Sequence, residues 1–228
     1  MVYLTPKLGV IMLDTSFERI VGDIGNSKTF PFPVIYETVS GAFVSRVVDQ
    51  FDNQLIQPFI DAAKCLESKG ATVITTSCGF LALVQKEIEA AVNVPFLSSS
   101  LIQIPFVERM INGEVGVITA RVASLTEAHF YGVSANVPSA IVGLEHYPSF
   151  RGAILEQSIP LNVAAIQEEV VQATQELLAT YPHIKAIVLE CTNLPPYREA
   201  IKEVSRLPVF DHRGLCLYVM SSSRTRDM

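Results

Sequence analysis

Two cysteines stand 113 residues apart in matching surroundings, within Thr72-Val73-Ile74-Thr75-Thr76-Ser77-Cys78-Gly79 and Ala186-Ile187-Val188-Leu189-Glu190-Cys191-Thr192-Asn193. Each directly follows an apolar run and opens a segment with helical character. Free N–H groups at a helix start favour negative charge, so both positions suit a reactive thiolate, which an ordinary thiol forms only sparingly at pH 7. Thr76, Ser77, Thr192 and Asn193 have side chains able to hydrogen-bond a carboxylate. Two thiols approaching one small carboxylate from opposite sides could move protons at its α-carbon, one removing and the other delivering. The charge left on carbon would spread into the carboxylate, where backbone N–H groups at the helix starts would hold it.

Such thiols need a scaffold, and short apolar runs supply one. Leu8 to Leu13, Val34 to Thr38, Ala71 to Thr75, Pro95 to Ser98, Val115 to Thr119, Ala140 to Leu144, Lys185 to Glu190 and Pro208 to Asp211 read as buried strands. Helical patterns separate them, which predicts an α/β protein with mostly parallel sheets flanked by helices. Val47, Phe51, Leu55, Phe59 and Ala63 form one helical stripe; Val163, Ile166, Val170, Ala173 and Leu177 form another. Gly9-Val10-Ile11 recurs as Gly116-Val117-Ile118, and the segment 33 to 40 aligns with 140 to 147 at the same offset of 107. The two cysteines, and Pro95 with Pro208, match at 113. A duplicated half follows: residues 1 to 105, then 106 to 208, with the active site in the cleft between them. Residues 209 to 228 are expected to pack back on the first half, Gly214 onward as a helix and 221 to 228 as a frayed tail.

Composition narrows the partners. Of 228 residues 49% are hydrophobic and 18% charged, and 17 Lys and Arg against 23 Asp and Glu give a net charge of -6. A basic nucleic-acid binder is disfavoured by this balance, no apolar run reaches the roughly 20 residues of a membrane span, and a small-molecule ligand in the cytoplasm is the expectation. Four irregularly spaced Cys read as free thiols, and the absence of CxxC or HExxH spacing predicts no metal site. Cys65 and Cys216 lack repeat partners and read as packing thiols. His212, after Asp211 at a strand end, is a further candidate to face the cleft. The turn Gly22-Asp23-Ile24-Gly25-Asn26 reads as a loop, with an anion cradle ending in Asn26 as the alternative. Glu145, Glu168 and Glu169 read as solvated charges.

At these motifs the sequence resembles the aspartate/glutamate/hydantoin racemase superfamily, and the resemblance spans nearly the whole chain. TTSCGF at 75 to 80 is similar to the first cysteine motif of that superfamily and ECTNLPPY at 190 to 197 to its second. The resemblance implies two pseudo-symmetric α/β domains, one catalytic Cys in each (Cys78 and Cys191), no cofactor and a homodimer. Gly79 and Phe80 then join the substrate-binding set. GVITARVASLT at 116 to 126 resembles the segment that contributes a binding Thr, which implies Thr119, with Ser124 as the alternative. LDTSFERIVGDIGNSKTFPFPV at 13 to 34 looks like the opening loop of one branch, and Asp14 corresponds by position to an Asp of glutamate racemases. Those racemases carry Asn-Thr after the first Cys and His after the second Cys-Thr, where this chain has Gly79-Phe80 and Asn193. The expected activity is racemisation of an amino acid or related small carboxylate. The alternatives are cis-trans isomerisation, decarboxylation, or carboxylate binding without turnover.

Overall fold

The structure is a computed structural model that describes residues 6–223. Eight strands form two parallel sheets: β1 (Leu8–Leu13), β2 (Val34–Val39), β3 (Val73–Thr76) and β4 (Phe96–Leu97), then β5 (Val115–Thr119), β6 (Ala140–Gly143), β7 (Ala186–Leu189) and β8 (Val209–Phe210). The strand orders, β2-β1-β3-β4 and β6-β5-β7-β8, are the same arrangement twice, as the sequence repeat predicts. β1 and β5 are central and covered on both faces, and so are buried almost throughout and mainly apolar rather than alternating, with Thr119 the polar exception at the end of β5. The helices are α1 (Ile56–Ser68), α2 (Gln85–Glu89), α3 (Ile104–Ile111), α4 (Glu127–Gly132), α5 (Pro148–Phe150), α6 (Val163–Thr180), α7 (Arg198–Ser205) and α8 (His212–Ser222).

The repeated glycines explain how a helix seats on each sheet. A Cβ on Gly9 would lie 3.1 Å from Leu66 Cβ of α1, and one on Gly116 2.9 Å from a Leu177 methyl of α6. Only glycine lets the backbones come this close. Along α6, Ile166, Val170, Ala173 and Leu177 are buried as the stripe predicts, although Val163 at the first turn is exposed. The stripe from Val47 to Ala63 does not form one helix. It breaks into a wide turn at Ser45–Asp49, an extended link, and a short turn at Asn53–Leu55 that runs into α1. Asp52 causes the break, its carboxylate accepting the Gln54 N–H at 2.9 Å and the Arg46 guanidinium at 2.6 Å, which caps a new start.

The halves exchange their last helices. α3 leaves β4 and packs on β5 and β7 of the second sheet, whereas α8 leaves β8 and packs on β3 of the first. β8 itself pairs with β7, so the return to the first sheet begins with α8 and not at residue 209. Leu215, Cys216 and Met220 close a second apolar core with Leu8, Val10, Ile24, Phe30, Val73 and Leu97. Each such large side chain contributes about 1.5 to 3 kcal/mol when fully buried. Ser221 and Ser222 complete α8 rather than fraying, and residues 224 to 228 of the expected tail lie outside the described residues.

Candidate active site

Parallel strands place their carboxyl ends on one side, and the chain turns there into the segments that carry both thiols. Ser77 N–H donates to the Ile11 carbonyl and Glu190 N–H to the Ile118 carbonyl, both at 2.9 Å, so the residue before each Cys is fixed to the central strand of its own sheet. Cys78 and Cys191 line one cavity of about 30 Å³. Arg19, Ser77, Glu190 and Asn193 share it, while Phe17, Val44, Val48, Phe80, Ile154 and Leu155 supply apolar walls. The volume suits about one water molecule. Next to the lining residues Thr15, Phe17 and Leu155, the Gln157 side-chain oxygen accepts from the Ser16 N–H at 2.7 Å and the Ser16 hydroxyl at 3.0 Å, joining the opening loop to the segment after Leu155. Gln157 sits at φ 53, the left-handed region.

The polar groups are unevenly shared between the two thiols. The Cys191 thiol donates to Asn193 Oδ1 at 3.4 Å, and Asn193 Nδ2 donates to Asp23 Oδ2 at 2.6 Å. Asp23 in turn accepts Arg19 Nη1 at 2.9 Å and the Gly25 N–H at 2.7 Å. The opening loop delivers Arg19 and Asp23 by folding over the second cysteine segment, with Gly22 at φ 107 packed on Pro196. Arg19 also lies over the Phe17 ring, 4.5 Å from its centre. Around Cys78 the chief neighbour is Phe80, held edge-on by His129 with ring centres 5.4 Å apart.

Burial outweighs the helix-start effect expected for the thiols. It pushes the Cys78 thiol up to about 12, and the Cys191 thiol well above its usual range, with the Glu190 charge acting in the same direction on both. The Phe80 and Asn193 backbone N–H groups oppose this by bonding to the sulfurs. They serve the thiols and not a substrate carboxylate. Short turns, Gly79–Val84 and Pro195–Tyr197, follow the two cysteines where longer helices were expected, and a short turn adds little dipole. A thiolate therefore forms here only with help.

Among the expected binding residues, Ser77, Gly79, Phe80, Thr192 and Asn193 line the cavity with both thiols. Ser77 Oγ accepts the Leu13 N–H at 3.0 Å, and the Thr192 hydroxyl donates to the Ser77 carbonyl at 2.6 Å, tying the two cysteine turns together. Thr76 is buried beneath the site, its hydroxyl 2.8 Å from the carbonyls of Cys78 and Ser98. Thr119 is also buried away from the cavity, its hydroxyl spent on Glu190 Oε2 at 2.8 Å. Asp14 accepts the Gly41 N–H, Ser124 lies in a turn at Val122–Ser124, and Asn26 binds the Arg19 carbonyl; none of the three lines the cavity. His212 is wholly buried behind the first sheet against Thr75, and desolvation lowers it to about 3. Cys216 is buried and Cys65 half-buried, in keeping with packing thiols. Of the three acids read as solvated, Glu168 is exposed, but Glu169 caps α5 through the Ser149 and Phe150 N–H groups and Glu145 binds the Val122 N–H.

Sequence reasoning missed Glu190 and the Arg19–Asp23 pair. Glu190 is fully buried, and one oxygen, Oε1, has no hydrogen-bond partner. The available signal was a charged residue closing the apolar run Ala186 to Leu189 directly before a cysteine. Among the described residues no group of three or more His, Cys, Asp or Glu could hold a metal, and no helix is long and apolar enough to cross a membrane.

No protein-family model matches the chain. It is 30% identical over 215 residues to a dimethylsulfoniopropionate lyase of Durusdinium sp. clade D, covering 90% of this chain and 71% of that protein. It is 32% identical over 224 residues to dimethylsulfoniopropionate lyase 7 of Emiliania huxleyi, covering 92% and 65% respectively. The chain therefore spans under two thirds of that second relative. Among solved structures, unliganded arylmalonate decarboxylase superposes with a TM-score of 0.63 at 16% identity, covering 96% of this chain and 92% of the other. A glutamate racemase of Bacillus anthracis gives 0.60 at 16% identity, covering 97% and 84%. The fold is that of the Asp/Glu racemase superfamily, and the named relatives are enzymes.

Proposed function

This chain belongs to the dimethylsulfoniopropionate lyase family, and on that premise we propose that it is a lyase splitting dimethylsulfoniopropionate, or a close β-sulfonio carboxylate, by elimination. The Cys191 thiolate removes a proton from the carbon next to the carboxylate. The electron pair of that C–H bond forms the new carbon-carbon double bond, the C–S bond breaks, and its pair leaves with neutral dimethyl sulfide. Acrylate remains, and the proton rests on the Cys191 sulfur. Arg19, the cation lining the cavity, is placed to hold the carboxylate where charge develops. Apolar walls such as Phe80, Val44 and Ile154 suit the two methyl groups and exclude water.

The observation that carries the reading is the uneven polar surround of two thiols lining one cavity. Elimination needs one base, and of the two cavity thiols it is Cys191 that has a side-chain partner among the described residues, Asn193, backed by Asp23 and Arg19. The lyase names of the relatives support the same direction. This favours bond-breaking, the alternative in the sequence reading, over racemisation. Headspace measurement of dimethyl sulfide, with acrylate followed by NMR, tests it directly. Release of neither product, with interconversion of aspartate or glutamate enantiomers instead, would refute the lyase assignment. Racemisation remains the second reading because each half contributes one thiol to the cavity.

A further inference from the structure

Glu190 takes no part in the proposed elimination, yet it lines the same cavity as both thiols. It is fully buried, and its Oε2 is held by the Thr119 hydroxyl. Oε1 has no partner and lies against the Gly79 backbone, so close that a Cβ there would stand 2.2 Å from it. Gly79 is the residue after Cys78, and Glu190 is the residue before Cys191. The carboxylate is thus wedged between the two cysteine turns. We propose that Glu190 is a positioning residue that arms Cys191, accepting the thiol proton on Oε1 and returning it to solvent after each turnover.

The proton inventory supports this. A buried thiolate and a buried carboxylate side by side repel each other, so the trio of Glu190, Cys78 and Cys191 favours a single negative charge. When the charge sits on Glu190, the thiols are protonated. When the S–H bond breaks and an O–H bond forms at Oε1, the electron pair stays on sulfur and the charge moves to the base. Burial raises Glu190 to about 7, against the pull of Thr119 and the Ala120 N–H, so the carboxyl group can both take and release a proton near neutrality. The thiolate then takes the substrate proton, products leave as acrylate and dimethyl sulfide, and Glu190 gives up one proton. The charged and titratable groups facing this exchange are the two thiols, Arg19 across the cavity, Asp23 behind Asn193, and the Tyr197 phenol beside Cys191.

The assignment rests on the proposed thiol base, but its readout is thiol ionisation in the substrate-free protein, which does not depend on the substrate. Alkylation of Cys191 by iodoacetamide, resolved from the other cysteines by peptide mass spectrometry, is followed between about pH 6 and 9. In the wild type the rate should show an inflection near that of Glu190. Glu190→Gln should lose it and label at least about tenfold more slowly at neutral pH, while Glu190→Asp should recover part of the rate. Faster labelling of Glu190→Gln would overturn the proposal, because removal of a merely repelling charge would ease thiolate formation. The wild-type inflection is itself a readout independent of any variant's folding, and a Cys191 rate that rises with pH without an inflection near neutrality would also refute the exchange. Intact labelling behaviour without dimethyl sulfide release would fault the substrate and leave the proton exchange standing.

Discussion

Residues 77–80 and 190–193 occupy equivalent places at the ends of β3 and β7, yet they surround their cysteines with opposite chemistry. In the first half Cys78 is followed by Gly79 and Phe80, and its serine neighbour is turned back to the Leu13 backbone. In the second, Cys191 is flanked by Glu190, Thr192 and Asn193, and a hydrogen-bond chain runs outward to Asp23 and Arg19. The sheets, the register and the helix-packing glycines repeat; the polar groups do not. Duplication here supplies a scaffold with two thiol positions, and the side chains around them give the two thiols different surroundings: polar partners at Cys191, an aromatic ring at Cys78.

Paired substitutions at equivalent positions can break that contrast. The largest expected effect is Cys191→Ala, which removes the base and should lower dimethyl sulfide release by about 10³-fold, whereas Cys78→Ala should cost about tenfold or less. Equal losses would mean that the halves share the work. Asn193→Ala should reduce kcat by roughly tenfold to a hundredfold with little change in KM, since it frees the Cys191 thiol without touching the carboxylate site. A purely raised KM would place Asn193 on the substrate instead.

Gly79 and Thr192 are the equivalent residues after each cysteine, and denaturant titration should separate them. Gly79→Ala drives a methyl group into the Glu190 carboxylate and carbonyl and should destabilise by roughly 1 to 3 kcal/mol, while Thr192→Val, losing the bond to the Ser77 carbonyl, should cost about 1 kcal/mol. An effect of similar size is acid sensitivity at His212. Its folded pKa of about 3 lies below the unfolded value near 6.5, so its contribution is present above pH 6.5 and fades as pH falls. Between pH 6.5 and 5 the wild type should lose roughly 1.5 kcal/mol that His212→Gln does not, measured as the pH dependence of the denaturation midpoint.

Much of this architecture could be read from residue order because parallel strands and duplicated turns leave local marks. All eight apolar runs form strands, and the glycine repeat at Gly9 and Gly116 marks where helices approach closely. The thiol pair was legible for the same reason. Glu190 was not, since a charged residue at a strand end ordinarily faces water, and only Thr119, 71 positions away, reveals that it faces inward. The break at Asp52 defeated the helical stripe because apolar spacing says nothing about a carboxylate capping its own backbone. Arg19 and Asp23 reach the site through a loop without periodicity, so no pattern could place them beside Asn193.

The exchange of α3 and α8 makes each sheet's cover the property of the other half. A chain cut between α3 and β5 would leave the first sheet without Leu215, Cys216 and Met220, and the second without Ile104 and Val107. Each fragment would keep one covering helix, α1 or α6, but leave the other face of its sheet bare, and the expected outcome for the whole chain is a single cooperative melting transition. Interlocking of this kind also holds the cleft at a fixed width. Both thiols are carried on this interlocked frame, and the Ser16–Gln157 bonds tie the opening loop to the segment after Leu155 beside them.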